Sequence, residues 1–158
     1  MTEIWKPILG FEGRYEISDA GRVRSLSFLQ RYLLRNGREA FRRTRERIVA
    51  QQKINSGYLI VHLHLDGNRY AKLVHRLVAV NFVDGFDVGR DVNHKDGDKM
   101  NNTAENLEWL SRRDNHLHAV ALGLNKQAVP TNGYPSIAQA AKGLRKAHRT
   151  IRKQRDAA

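Results

Sequence analysis

The chain has 158 residues, with 28 Lys plus Arg against 16 Asp plus Glu and no cysteine, giving a formal net charge of +12. That length accommodates one conventional domain or two to three very small modules, and no run of about eighteen apolar residues is there to span a membrane. The absence of cysteine excludes disulfides and thiolate zinc sites, while the basic excess implies a polyanionic partner, nucleic acid before membrane surface.

The opening residues, MTEIWKPILG, have no basic stretch followed by an apolar one, so the sequence predicts a soluble protein that is not exported. From Ile4 to Leu26, aromatic and β-branched residues are interrupted by Gly10, Gly13 and the turn SDAGR, a pattern of short antiparallel strands. A β-ribbon of this kind can enter the major groove, which makes Arg14, Arg22 and Arg24 candidate DNA contacts, phosphate positioning being commoner than base readout. The next segment, Phe28 to Gln52, carries seven arginines between Arg31 and Arg47 and few apolar residues in a regular register. It is expected to be a loop or arm that orders on its partner, with Arg42 and Arg43 among its DNA contacts.

From Gly57 the chain alternates, with Leu59, Val61, Leu63 and Leu65 on one face and Tyr58, Ile60, His62 and His64 on the other, before DGN turns it back. A hairpin follows from that. Leu77, Val78, Val80 and Phe82 then suit a short buried helix begun by His75, and DGFDVGR loops out of it. His75 reads as a structural hydrogen-bonder or DNA-backbone contact rather than a second base, His62 and His64 lack a third zinc ligand, and Trp5 and Trp109 read as core anchors.

The stretch DVNHKDGDKMNNTAENLEW holds one histidine, His94, with Asp91, Asp96, Asp98, Glu105, Asn93, Asn101, Asn102 and Asn106 around it, an oxygen-rich island in a cationic chain. LEWL after it is a strand candidate, and Ser111 with Asp114 resembles a capping box opening a helix that Gly123 can close. An imidazole to take a proton from water, next to hard oxygen ligands for a divalent ion, is what a phosphodiester hydrolase needs. Past the NKQAVPTNG linker, YPSIAQAAKGLRKAHRTIRKQR predicts two short helices, the second almost wholly cationic. Ser136 could cap the first, while Lys142, Arg149 and Arg152 could follow the DNA backbone or groove.

The spacing His94, eleven residues, Asn106, eight residues, Asn115, in the order strand, loop, strand, helix, resembles the HNH motif of the ββα-metal endonucleases. VHRLVA, VNHKDGDKMNN and ENLEW are similar to the HNH homing endonucleases of phages and introns, EIWKPILGFEGRYEISDAGRVRSL to the DNA-binding module preceding the nuclease in many of them, and YPSIAQAAKGL to a helix-turn-helix repeat that often follows. The resemblance implies an α+β protein: a small antiparallel β module with its basic arm over 1–52, a central ββα-metal nuclease over 53–124, and a linker with a helical basic tail over 125–158. It implies His94 as the general base and Asn106 as the second catalytic position, bracing the loop by hydrogen bonds to its backbone. Asn93 and Asn115 would be the metal ligands for Mg2+ or Mn2+.

Asp114, His116 and His118 remain rival ligands on the same helix, His118 sharing a face with Asn115. Asp96 and Asp98 most simply make side-chain turns around Gly97. The sequence departs from many HNH nucleases, which have Asp or Glu immediately before the histidine, by placing the neutral Asn93 there. The expected protein is a monomeric nuclease that nicks double-stranded DNA in the cytoplasm of a bacterial host and uses no nucleotide cofactor. The alternative is a catalytically weak or inactive sequence-specific DNA-binding protein on the same scaffold; a structural RNA-binding protein would leave the His94, Asn106 and Asn115 spacing without a reason.

Overall fold

In the computed structural model, which describes residues 2–124, the first segment folds as the antiparallel strands its alternation predicts: β1 (Trp5–Pro7), β2 (Tyr15–Ser18) and β3 (Val23–Ser25). Ile17 lies opposite Val23 and both are fully buried. The turn between β2 and β3 needs Gly21 in the left-handed region, at φ 79°, and is closed by the Arg22 N–H donating to the Ser18 hydroxyl at 2.9 Å.

The basic segment is not the loop expected. It forms a hairpin of β4 (Leu29–Leu33) and β5 (Glu39–Arg43), turned at Asn36 and Gly37, and continues into β6 (Arg47–Ile48), which joins the first sheet beside β3, and β7 (Gln52–Lys53). Cross-strand partners rather than burial hold the hairpin in register: Arg31 pairs with Glu39, and Arg42 donates to the Gln30 side-chain oxygen at 3.0 Å while lying over the Tyr32 ring. The Asn-Gly dipeptide between its strands is a strong hairpin signal that the density of charge obscured.

β7 borders a three-stranded sheet with β8 (Leu59–Leu65) and β9 (Asn68–Leu73). β8 and β9 turn through Asp66 at φ 50° and Gly67 at φ 80°, the pair of positive angles that a two-residue hairpin requires. Helix α1 (Val74–Phe82) follows and buries Val74, His75, Val78 and Ala79. Val80, expected in its core, is exposed, because its position on the helix faces away from β8 while Val78 and Ala79 take the inner stripe.

One cluster of buried side chains joins these pieces. Ile8, Phe11, Ile17 and Val23 lie in it with Val61, Leu63, Val74, Val78, Val92, Leu107 and Trp109, so residues from either side of the 52/53 boundary pack together. The chain then gives β10 (Arg90–His94), a loop ending in a 3-10 turn (Ala104–Asn106), β11 (Leu107–Ser111), which pairs with β10, and α2 (Arg112–Ala121). Two compact units divide after Leu110, α2 starting the second. Ser111 caps α2 as its spacing predicts: its hydroxyl accepts from the Asp114 N–H at 3.1 Å and donates to the Asp114 carboxylate at 2.7 Å. The helical tail expected over 125–158 lies outside the described residues.

Candidate active site

β10 delivers Asn93 and His94 in succession, and both side chains are buried although the following Lys95 and Asp96 are exposed. Strand alternation sends them to different partners. The Asn93 amide nitrogen donates to the Glu108 carboxylate on β11 at 2.7 Å, which orients the amide with its oxygen on the side away from Glu108. The His94 ring meets the Asn102 side-chain oxygen through Nε2 at 3.0 Å.

Two further rings line the His94 side. His75, from the first turn of α1, has its ring centroid 5.3 Å from that of His94, and Tyr58 lies 4.6 Å from His75 and 6.0 Å from His94. Lys99 sits over the Tyr58 ring at 4.6 Å and donates to the Ser56 carbonyl at 2.9 Å. Burial, then the positive charge that His94, Arg76 and Lys99 bring, lowers the His75 pKa from 6.5 to about 4, and its Nδ1 is buried without a hydrogen-bond partner. His75 is therefore a neutral ring beside His94 at physiological pH.

The loop between the strands is held by Asn106. Its side-chain oxygen accepts from the Asp96 N–H at 3.1 Å, and its amide nitrogen donates to the Asp96 carboxylate and to the Asn101 carbonyl, both at 2.9 Å. Asp96 and Asp98 make the turns around Gly97: Asp96 accepts from the Asp98 N–H at 2.8 Å, and Asp98 from the Met100 N–H at 2.9 Å. Hydrogen bonds from Asn101, Asn106 and the Asp98 backbone hold the Asp96 carboxyl below its usual pKa. Much of the oxygen-rich island thus makes the loop itself.

Residues 3–64 match the NUMOD4 motif and residues 72–117 match the HNH endonuclease family, the second covering β10, β11 and the start of α2. The DNA endonuclease I-HmuI of Bacillus phage SP01 is 34% identical over 111 residues, 70% of this chain and 54% of that protein. The chain is homologous to the HNH homing endonucleases. A prophage-derived putative HNH homing endonuclease of Bacillus subtilis is 44% identical over 69 residues, 43% of this chain and 40% of the relative. An uncharacterised HNH endonuclease of a mimivirus is 36% identical over 136 residues, 81% of this chain and 29% of its own length. A solved structure of DNA binding and cleavage by I-HmuI superposes with a TM-score of 0.60 at 28% identity, over 93% of this chain and 86% of that one. The chain thus spans about half the length of I-HmuI in sequence alignment, and less of the others.

Within this HNH homologue, the first compact unit brings together Asn93, His94 and Asn106. Asn115 lies on α2 in the second unit, four residues past the Ser111 cap. Three expected DNA-contact arginines are engaged within the fold: Arg22 pairs with Glu3, Arg24 with Glu16 at 2.6 Å and Glu46 at 3.2 Å, and Arg14 lies over the Phe28 ring at 3.8 Å. Arg42, which also meets Gln30 and the Tyr32 ring, and Arg43 lie exposed on the hairpin. Ser136, Lys142, Arg149 and Arg152 lie outside the described residues.

Asn102 and Glu108 stand outside the HNH spacing. Alternation points to Glu108, because Leu107 and Trp109 on either side are apolar and must turn Glu108 to the other face. Nothing in the run Asn101–Asn102 says which amide turns inward. The protein oxygens fit a hard divalent ion, but among the described residues no group of three His, Cys, Asp or Glu side chains gathers to hold one. An ion here would need phosphate or water oxygens to fill its shell.

Proposed function

We propose that this chain is a metal-dependent endonuclease that binds double-stranded DNA as a monomer and hydrolyses phosphodiester bonds at preferred sites, one strand per encounter. The observation that carries the reading is the buried His94 imidazole, next to Asn93 at the end of β10 and directly before a loop pinned by Asn106, within the segment that matches the HNH endonucleases. I-HmuI, whose solved structure concerns DNA binding and cleavage, supports the same partner here, as does the net charge of +12.

HNH nucleases are metal-dependent. By their likeness to the HNH motif, Asn93 and Asn115 are the positions whose amide oxygens would serve Mg2+ or Mn2+, and when bound the ion would supply positive charge for the phosphate under attack and the departing 3′ oxygen. His94 takes the proton of the attacking water. Glu108 holds the Asn93 amide in one orientation, and Asn106 holds the loop that follows His94.

The test is conversion of supercoiled DNA to open circles with Mg2+ or Mn2+ and with EDTA, for the natural chain, His94→Ala and Asn93→Asp. Metal-dependent nicking that drops by at least about a hundredfold in His94→Ala is expected, the scale of general-base catalysis. Asn93→Asp should lower the metal concentration needed, because magnesium prefers a charged oxygen. The neutral Asn93 favours one second reading, a DNA-binding protein with little or no cleavage. Tight binding with no cut at any metal concentration, on DNA carrying candidate sites, would establish that reading instead.

A further inference from the structure

His94 can act as a base only through the ring nitrogen that carries its lone pair, and the side chain that decides which one it is does not itself belong to the HNH spacing. Asn102 is buried, as His94 is, and its side-chain oxygen lies 3.0 Å from His94 Nε2. The Asn102 amide nitrogen donates to the Met100 carbonyl at 3.4 Å. A carbonyl can only accept, so turning the amide round would set its oxygen against the Met100 carbonyl, acceptor against acceptor, and it is the oxygen that is placed against the ring. An oxygen acceptor demands an N–H at Nε2, which leaves the lone pair of neutral His94 on Nδ1.

Asn102 is itself held from behind by the amino-terminal strands. A Cβ on Gly21 would meet the Asn102 carbonyl oxygen at 2.9 Å and the Asn102 Cβ at 3.0 Å, and Gly21 already stands at φ 79° where side chains are strained. Gln51 donates to the Gly21 carbonyl at 2.6 Å, and the Asp19 carbonyl accepts from the Ala104 N–H at 2.7 Å. The turn between β2 and β3 is thus the back wall of the residue that touches the imidazole.

We infer that Asn102 is a positioning residue that fixes the tautomer of His94 with its base at Nδ1, and that the Asp19–Gly21 turn holds Asn102 in place. This rests on the nuclease reading for its consequence, though not for its geometry. In that step water loses a proton to His94 Nδ1 as its oxygen bonds to phosphorus. The P–O3′ bond breaks, and the 3′ oxygen is protonated from solvent. Asn102 contributes no atom to the reaction.

The experiment is long-range proton–nitrogen NMR of the full-length 15N-labelled chain at a pH where His94 is neutral, read beside single-turnover cleavage and DNA binding, for the natural chain, Asn102→Leu and Asn102→Asp. The natural chain should show His94 with a protonated Nε2 and a lone-pair Nδ1. Asn102→Leu, which keeps the branched shape but has no acceptor, should mix the tautomers and slow cleavage at saturating DNA by at least about tenfold, with DNA affinity unchanged. Asn102→Asp retains an acceptor and should restore the natural tautomer. A protonated Nδ1 in the natural chain overturns the inference without any variant. So does an Asn102→Leu protein that keeps both tautomer and rate, or an Asn102→Asp protein no different from Asn102→Leu. A natural chain with the expected tautomer that never cuts DNA removes the nuclease reading and leaves the positioning role standing, since the NMR signal needs no cleavage.

Discussion

His75 shows how a single side chain can be placed by the sequence while its surroundings stay hidden. The motif VHRLVA puts it at the start of a helix, where a histidine reads as a structural hydrogen-bonder or DNA-backbone contact; the structure seats it against the Tyr58 and His94 rings with Nδ1 unpartnered. Those surroundings could not be seen in the sequence, because they depend on α1 from one segment and the β10 loop from another meeting across about twenty residues of chain. It has a consequence for stability. The folded-state pKa of His75, about 4, lies below the ordinary 6.5, so between those values the unfolded chain binds more protons than the folded one. Stability therefore falls as the pH falls through this window, by about 3 kcal/mol once pH 4 is reached at roughly 1.4 kcal/mol per pH unit. Urea unfolding at pH 7, 5.5 and 4.5 measures it, and His75→Phe, which keeps a ring but cannot be protonated, should remove most of the slope. A slope unchanged in His75→Phe would assign it to other groups.

Elements were legible where periodicity or capping dictated them and illegible where cross-strand partners did. The β8–β9 hairpin, α1, β11 and the Ser111 cap follow from alternation, helical spacing and the Ser-x-x-Asp pattern. The β4–β5 hairpin did not, because its strands expose Leu29, Leu33 and Phe41 and its register is set by pairs such as Arg31 with Glu39. An exposed, arginine-bearing ribbon is suited to phosphate contacts. Replacing Arg42 and Arg43 together by Gln should weaken DNA binding and flatten the plot of log affinity against log salt by about two, one per lost phosphate contact. Filter binding across a salt series reads this directly, and an unchanged slope would remove the hairpin from the interface. The loop between β10 and β11 behaves differently, since Asn106 alone supplies three side-chain hydrogen bonds to it. Asn106→Ala should cost about 2 kcal/mol in denaturant unfolding and lower cleavage more than DNA binding, because the loop it holds begins directly after His94. Asn106→Asp, which can still accept from the Asp96 N–H but places a second carboxylate against Asp96, should be no better than Ala.

At the scale of the molecule, the sequence suggested modules strung along a duplex, and the packing ties the first two together. Ile17 and Val23 from the amino-terminal strands, and Val61, Leu63, Val74 and Val78 from the centre, are all fully buried in one cluster. Hydrophobic alternation says that each strand has an inner face; it cannot say that two sets of inner faces meet, because every strand would look the same facing a core of its own. Burying a large aliphatic side chain contributes about 1.5–3 kcal/mol, and a 72-residue piece covering 53–124 would leave the partners of Ile8, Phe11, Ile17 and Val23 facing water. It would also lose the Gly21 and Asp19 contacts behind Asn102 and Ala104. A fragment lacking residues 1–52 should therefore show no cooperative thermal transition and no dispersed NMR spectrum, although it contains the whole HNH segment. Mixing it with a separately made 1–52 peptide should restore both. A fragment that melts cooperatively on its own would mean that the shared cluster is a contact between two independent cores, and that the amino-terminal strands serve DNA binding without holding up the site.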